Sequence, residues 1–249
     1  MTTWPIPTPK KIAQTLDGSG RPQQITTRPE LGLIDDTYTV LYVGTGRYLG
    51  LSDLTDPATQ TPASTDAWQN SLYAFKISPH DNSDTIYGNL RGTGNGLVNQ
   101  KITVVSATTR TTSTNTVKWA GSNGWYLDFN PSNDSPGERV NIDPQLVLGT
   151  LIVATNVPGG GACSVGGDSW FYQFDYKTGQ YVVSSPGNLV AAKIQGAMSV
   201  GVSVFQLQSN AIGIVDMRSD AKPTQPGFNG APASATAKRS GWRELAPHN

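Results

Sequence analysis

The feature that most restricts the fold is a pattern the chain uses twice. Pro29-Glu30-Leu31-Gly32-Leu33 returns as Pro144-Gln145-Leu146-Val147-Leu148, Leu41-Tyr42-Val43 as Leu151-Ile152-Val153, and Leu72-Tyr73-Ala74-Phe75 as Phe171-Tyr172-Gln173-Phe174. Each copy is a Pro-led strand, a turn, an apolar strand, a loop and an aromatic strand. Such units cannot bury an apolar face alone and stack on their neighbours. A fourth strand, GWYLDF at 124–129 or QYVV at 180–183, completes a four-stranded antiparallel meander, the unit of a β-propeller blade. At roughly 40–50 residues per blade the chain holds about three to four blades. The expected architecture is therefore all-β, a β-propeller with an incomplete ring.

Composition agrees. The 27 glycines and 17 prolines suit many short strands joined by turns, and helix signals are nearly absent. Eighteen acids cancel eighteen bases, which gives no electrostatic reason to expect a nucleic acid or an anionic membrane as partner. Cys163 is the only cysteine, so no intrachain disulfide forms, and it reads as a small residue in a Gly-rich stretch. A cysteine nucleophile normally needs a nearby base, and only His80 and His248 are present. MTTWPIPTPKKIAQTLDG lacks the apolar core of a signal peptide, and no later segment is long and apolar enough to span a membrane.

Along the chain, residues 1–24 read as an extended lead-in, 25–245 as the partial propeller, and 246–249 as a tail. Strands are expected in ITTRPELGLI and YTVLYVGTGRYLG around Asp35 and Asp36, in SLYAFKIS, and in PQLVLG, TLIVATNVP and SWFYQFDYKTGQYVV. The β-branched KITVVSATTRTTSTNTVKW predicts a hairpin with a Thr-coated outer face. MSVGVSVFQLQ and AIGIVDMRS form two further strands across Ser209–Asn210, and 221–239 reads as a loop.

Several stretches invite a chemical reading. Alternation in GWYLDF sets Trp125, Leu127 and Phe129 on one face and Tyr126 and Asp128 on the other. That pattern predicts a strand packed between units, with Asp128 reaching solvent or a loop amide. GTGRYLG at 44–50 and RGTGNG at 91–96 look like phosphate loops, yet neither leads into helix-forming sequence, whose amides and dipole would hold the anion. HDNSDT (Asp81, Asn82, Asp84) and DFNPSNDSPGE (Asp128, Asn130, Asn133, Asp134, Glu138) are oxygen-rich but lack calcium-loop spacing. Both read as Asx-turn loops. Two histidines and one cysteine make a zinc site improbable. DYKTG at 175–179 is a turn in which the Asp carboxylate accepts local hydrogen bonds and glycine takes the left-handed position. It is similar to the core of the tryptophan-docking motif of quinoprotein-like propellers. No residue is assigned as catalytic, cofactor-binding or metal-binding.

GWYLDF…GERVNIDPQLVLGTLIVATNVP…ACSVGGDSWFYQFDYKTG, together with ITTRPELGLIDDTYTVLYVGTGRYLG and the closing SGWREL, resembles the C-terminal β-propeller of PilY/PilC-type proteins of the type IV pilus, from about Gln23 to Leu245. The resemblance implies a non-enzymatic protein at the pilus tip, cell surface or outer membrane that supports pilus assembly and extension, adhesion and twitching motility. It implies pilins, minor pilins and other assembly proteins as partners, with a host-surface ligand among the expectations. Proteins of this kind begin with a signal peptide and a large N-terminal region, and carry a D-x-[DN]-x-D calcium loop in the propeller. None of these is found here, so calcium is not carried over to any residue. The competing readings are a quinone-dependent dehydrogenase fragment, suggested by DYKTG, and a propeller scaffold that docks another protein through open blade edges. Open edges recruit other strands, so the isolated chain is expected to be marginally stable or to self-associate.

Overall fold

The repeated pattern folds as two four-stranded meanders whose register matches the sequence repeat residue for residue. The structure is a computed structural model and describes residues 11–55, 69–77, 87–91, 96–129, 131–132, 137–159, 166–206 and 212–218. Fourteen strands are named in chain order: β1 (Ala13–Gln14), β2 (Glu30–Ile34), β3 (Tyr38–Gly44), β4 (Ser71–Ile77), β5 (Tyr87–Asn89), β6 (Leu97–Val104), β7 (Thr109–Thr112), β8 (Gly124–Asp128), β9 (Gln145–Val147), β10 (Thr150–Pro158), β11 (Gly167–Asp175), β12 (Ala191–Ile194), β13 (Ser199–Gln206) and β14 (Ile212–Arg218). The expected all-β class is met; helix is confined to single 3-10 turns at Leu51–Leu54 and Pro186–Asn188 among the described residues.

The first meander is β2-β3-β4-β8 and the second is β9-β10-β11-β12, antiparallel throughout. Leu31 lies opposite Leu41, and Leu41 opposite Phe75. Their counterparts repeat this: Leu146 lies opposite Leu151, and Leu151 opposite Phe174. Each first hairpin turns through two left-handed residues, Asp35 and Asp36 in one copy and Leu148 and Gly149 in the other, the conformation that matches strand twist in tight hairpins. GWYLD supplies the fourth strand of the first meander, as expected. In the second, QYVV contributes only a single bridge, Phe174 to Tyr181. The fourth strand is instead β12, reached through the turn at Pro186–Asn188.

The meanders are not separate sheets. The predicted hairpin is present as β6–β7. It joins them because β6 pairs parallel with β8 and β7 pairs antiparallel with β12. One ten-stranded sheet results, in the order β2-β3-β4-β8-β6-β7-β12-β11-β10-β9. Its two end strands, β2 and β9, lie against each other, so the sheet nearly closes into a barrel-like shape. A β-carbon on Gly32 would stand 2.7 Å from Leu146 Cδ2, so glycine lets these ends approach. No strand ladder joins β2 to β9, so the two ends approach without pairing their backbones.

The two meanders stack head to tail. In the first, Tyr42, Leu72, Ala74, Trp125 and Leu127 face the central core. In the second, the central core takes Leu151, Val153, Tyr172 and Phe174. Their first-meander counterparts Val43, Tyr73 and Phe75 face outward, with Leu90 and Tyr126. Conversely, Ile152 and Phe171, counterparts of Tyr42 and Leu72, face the opposite outer side, where Val202 and Val204 of β13 pack near them. A two-fold sandwich would bring equivalent faces together; here unlike faces meet, the head-to-tail mode that rings require. The outward aromatic face of the first meander is covered by the lead-in, whose β1 pairs parallel with β5. Ser209–Asn210, the loop at 221–239, SGWREL and the tail at 246–249 lie outside the described residues.

Candidate functional site

The meander joint is built on GWYLDF. Trp125 is fully buried, packs 6.3 Å from Tyr42 and 6.4 Å from Phe174 between ring centroids, and donates its indole Nε1 hydrogen to Tyr176 O at 3.3 Å. The acceptor belongs to the DYKTG turn of the other meander. There Asp175 Oδ1 accepts Lys177 N, Thr178 N and Thr178 Oγ1 at 3.1, 2.9 and 2.8 Å. Gly179 has φ +69°, and a β-carbon on it would lie 2.7 Å from the Trp125 ring. Tyr42 Oη and Trp119 Nε1 donate to Tyr176 O and Lys177 O. The turn is a docking plate for indoles, and glycine is needed for both its backbone and its surface. Burial pushes the Asp175 carboxyl up, and the hydrogen bonds from Thr178 and Lys177 only partly offset it.

Each meander also places a tyrosine of the same repeat position against an arginine–carboxylate pair. On the first, the outer face of GWYLDF carries Asp128, which bonds Arg91 Nη1 at 2.8 Å and Nη2 at 2.5 Å. Arg91 Nη2 also donates to Ser71 Oγ at 2.5 Å and Tyr73 Oη at 2.9 Å, while Nε donates to Leu16 O of the lead-in. The guanidinium stacks 4.7 Å from the Tyr126 centroid. Gln23 seals the cluster, donating to Ser71 Oγ at 2.7 Å and accepting from Tyr73 Oη at 2.6 Å. Burial lowers the Arg91 pKa, but Asp128 and Tyr73 outweigh it and the group is held firmly charged; burial pushes the Tyr73 hydroxyl up to about 12. Asp128 thus reaches solvent in part, as expected, and also pairs with an arginine that the sequence reading did not anticipate.

On the second meander Tyr172, the counterpart of Tyr73, meets Arg110 from β7 and Glu138 from the segment before β9. Arg110 Nη1 donates to Glu138 Oε1 and to Tyr172 Oη. Glu138 Oε2 accepts Tyr172 Oη at 2.9 Å and Thr155 Oγ1 at 2.8 Å. The ion pair is dry, with side chains 4% and 1% exposed, and burial pushes the Tyr172 hydroxyl well above its ordinary value. The Arg110 guanidinium lies 3.5 Å from the Trp170 ring centroid. Beside it opens a cavity of about 170 Å³ lined by Arg110, Glu138, Trp170, Lys193, Val104 and Val157 among others. Sequence reasoning missed this cluster. Its one trace is a lone arginine in TTRTT, in phase with buried Thr112 and Ile102.

Where the remaining candidates fall on described residues, their groups serve the fold. In GTGRYLG three amides are already taken: Asp53 Oδ2 accepts Leu49 N at 2.8 Å and Gly50 N at 3.2 Å, and Gly46 N donates to Gln24 O at 2.7 Å. An internal carboxylate sits where a phosphate would bind. Of RGTGNG, Arg91 serves the first cluster, Gly96 is a left-handed turn residue, and 92–95 lie outside the described residues. The acids at the ends of DFNPSNDSPGE, Asp128 and Glu138, are each spent on an arginine of a different cluster. They do not fit a calcium shell; Asn130, Asn133 and Asp134 lie outside the described residues, as do HDNSDT and its His80, Cys163 and His248. Among the described residues, no three His, Cys, Asp or Glu side chains converge, and no helix is long and apolar enough to cross a membrane.

Among solved structures the chain is similar to the C-terminal domain of Pseudomonas aeruginosa PilY1, with a TM-score of 0.62 at 19% sequence identity over 86% of this chain. The resemblance read from the motifs is therefore met as a likeness of fold. The chain spans 47% of that solved chain, about half its length. No protein-family model and no curated protein matches the sequence.

Proposed function

We propose that the protein is a non-enzymatic type IV pilus module, exported to the cell surface or pilus tip, which supports pilus assembly and extension, adhesion and twitching motility. One observation carries the reading: the fold likeness to the PilY1 C-terminal domain over 86% of the chain, which agrees with the ordered motifs of the PilY/PilC-type resemblance. On this reading the two meanders are neighbouring blades of a β-propeller with about three to four blades, an incomplete ring. Head-to-tail stacking supports that architecture, as does β13, which pairs with β14 and packs Val202 and Val204 on the outer face of the second meander where a further blade would sit. The DYKTG turn is occupied with docking Trp125 and Trp119, which favours a structural use over a quinone site. The reading assigns the chain no cofactor, and its partners are pilins, minor pilins and other assembly proteins.

The test is a count of surface pili in a strain deleted for the gene, with and without this chain restored behind a signal peptide. Loss of pili on deletion and their return on restoration is the expected result. An unchanged pilus number and normal twitching in the deletion strain would overturn the reading.

A further inference from the structure

Of the two arginine clusters, one has its arginine bonded through every guanidinium nitrogen, and the other leaves one guanidinium edge without a hydrogen-bond partner. Arg91 gives Nη1 and Nη2 to Asp128, and its Nε is taken by Leu16 O of the lead-in. Arg110 uses Nη1 alone, on Glu138 and Tyr172. Its Nε is buried with no hydrogen-bond partner, and no described group bonds Nη2. These two nitrogens form one edge of the planar guanidinium, the edge whose paired N–H groups match a carboxylate. A buried donor left unpaired is costly, so an acceptor that reaches this edge gains more than it would at a solvated one.

The surroundings select the acceptor. Arg110 lines the 170 Å³ cavity, and Lys193 lines it too, 2.7 Å from its own partner Asp168. Glu138, the one acid in the wall among the described residues, is neutralised by Arg110 and has both oxygens engaged. Val104, Val157 and Trp170 supply an apolar wall. We propose that this cavity is a binding site for a carboxylate carried on a small group, held by the Nε–Nη2 edge of Arg110 with Lys193 at its rim. Two sources share that chemistry, the terminal carboxylate of a peptide and a sugar acid. The site does not depend on the pilus reading, and it stands or falls without it.

The test is NMR titration of the whole chain, following the Arg110 Nε–H resonance, assigned by its loss in Arg110→Lys. N-acetylglycine and glucuronate are the carboxylate probes; N-acetylglycinamide and glucose are their neutral controls. The expected result is a saturable shift with at least one carboxylate, about tenfold or more tighter than its neutral control, as a charge-assisted paired contact requires. The probe that binds identifies the source. Arg110 is buried, so Arg110→Lys can unfold the protein. Ala107→Phe, which fills the cavity from its exposed wall, provides the second variant and is expected to abolish the shift with the Arg110 resonance retained. No shift with either carboxylate, equal affinity for acid and neutral control, or binding that survives Ala107→Phe would each overturn the proposal.

Discussion

Arg91 and Arg110 occupy comparable positions and end in different states. Both pair with a carboxylate and with a tyrosine of the same repeat position, Tyr73 or Tyr172. The first lies on an outer face that the lead-in covers, with Asp128 still 39% exposed at the side chain. The second lies at the joint between meanders, with both partners almost fully dry. Head-to-tail stacking alone produces the difference, because it sends one tyrosine outward and its counterpart inward. The same residue types therefore give a tolerant, partly wet cluster in one copy and a sensitive, dry one in the other.

The largest expected effect tests that contrast directly. Glu138→Ala leaves a buried guanidinium without its counter-charge and should cost roughly 3–5 kcal/mol, whereas Asp128→Ala, with water and Ser71 at hand, should cost about 1–2 kcal/mol. Urea denaturation of both variants checks this, and equal losses would break the comparison. Next in size is Gly179→Ala, which drives a methyl group into Trp125 and strains the turn. A loss of about 1–3 kcal/mol is expected in the same assay, and full stability would mean that Trp125 does not dock on the turn. Smaller again are the tyrosine hydroxyls. Tyr172→Phe removes a donor to Glu138 in a dry site and should cost about 2 kcal/mol, against about 1 kcal/mol for Tyr73→Phe.

The smallest effect is a pH dependence at the DYKTG turn. Burial raises the Asp175 carboxyl in the fold, so the folded state holds that proton more tightly than the unfolded chain does. The stabilisation is complete below the ordinary aspartate value of about 4 and fades as pH rises through the raised folded value. Wild type should therefore lose stability relative to Asp175→Asn over that rise. Thermal melts across this range check the direction, and a gain for wild type would contradict it.

How much of this was legible in sequence depends on how local the determinant is. Leu31, Leu41 and Phe75 and their counterparts Leu146, Leu151 and Phe174 could be aligned by eye, because register follows from alternation and turn position. GWYLDF could be read as a packed strand for the same reason. QYVV reads in sequence as a candidate fourth strand, beside GWYLDF. The turn ends too tightly for that: Asp175 N donates to Gln180 O at 2.8 Å, which leaves room for one bridge before the chain departs. The parallel pairing of β6 with β8 leaves no local mark, so one continuous sheet was not foreseen. The arginine clusters were invisible because their members stand 37, 28 and 62 residues apart.

The most direct test of head-to-tail stacking is a nuclear Overhauser measurement from the Trp125 indole in a selectively labelled sample. Unlike-face packing predicts contacts from Trp125 to Phe174 and to Gly179 of the DYKTG turn. Contacts to Ile152 and Phe171 in their place would mean that equivalent faces meet, and would contradict the account.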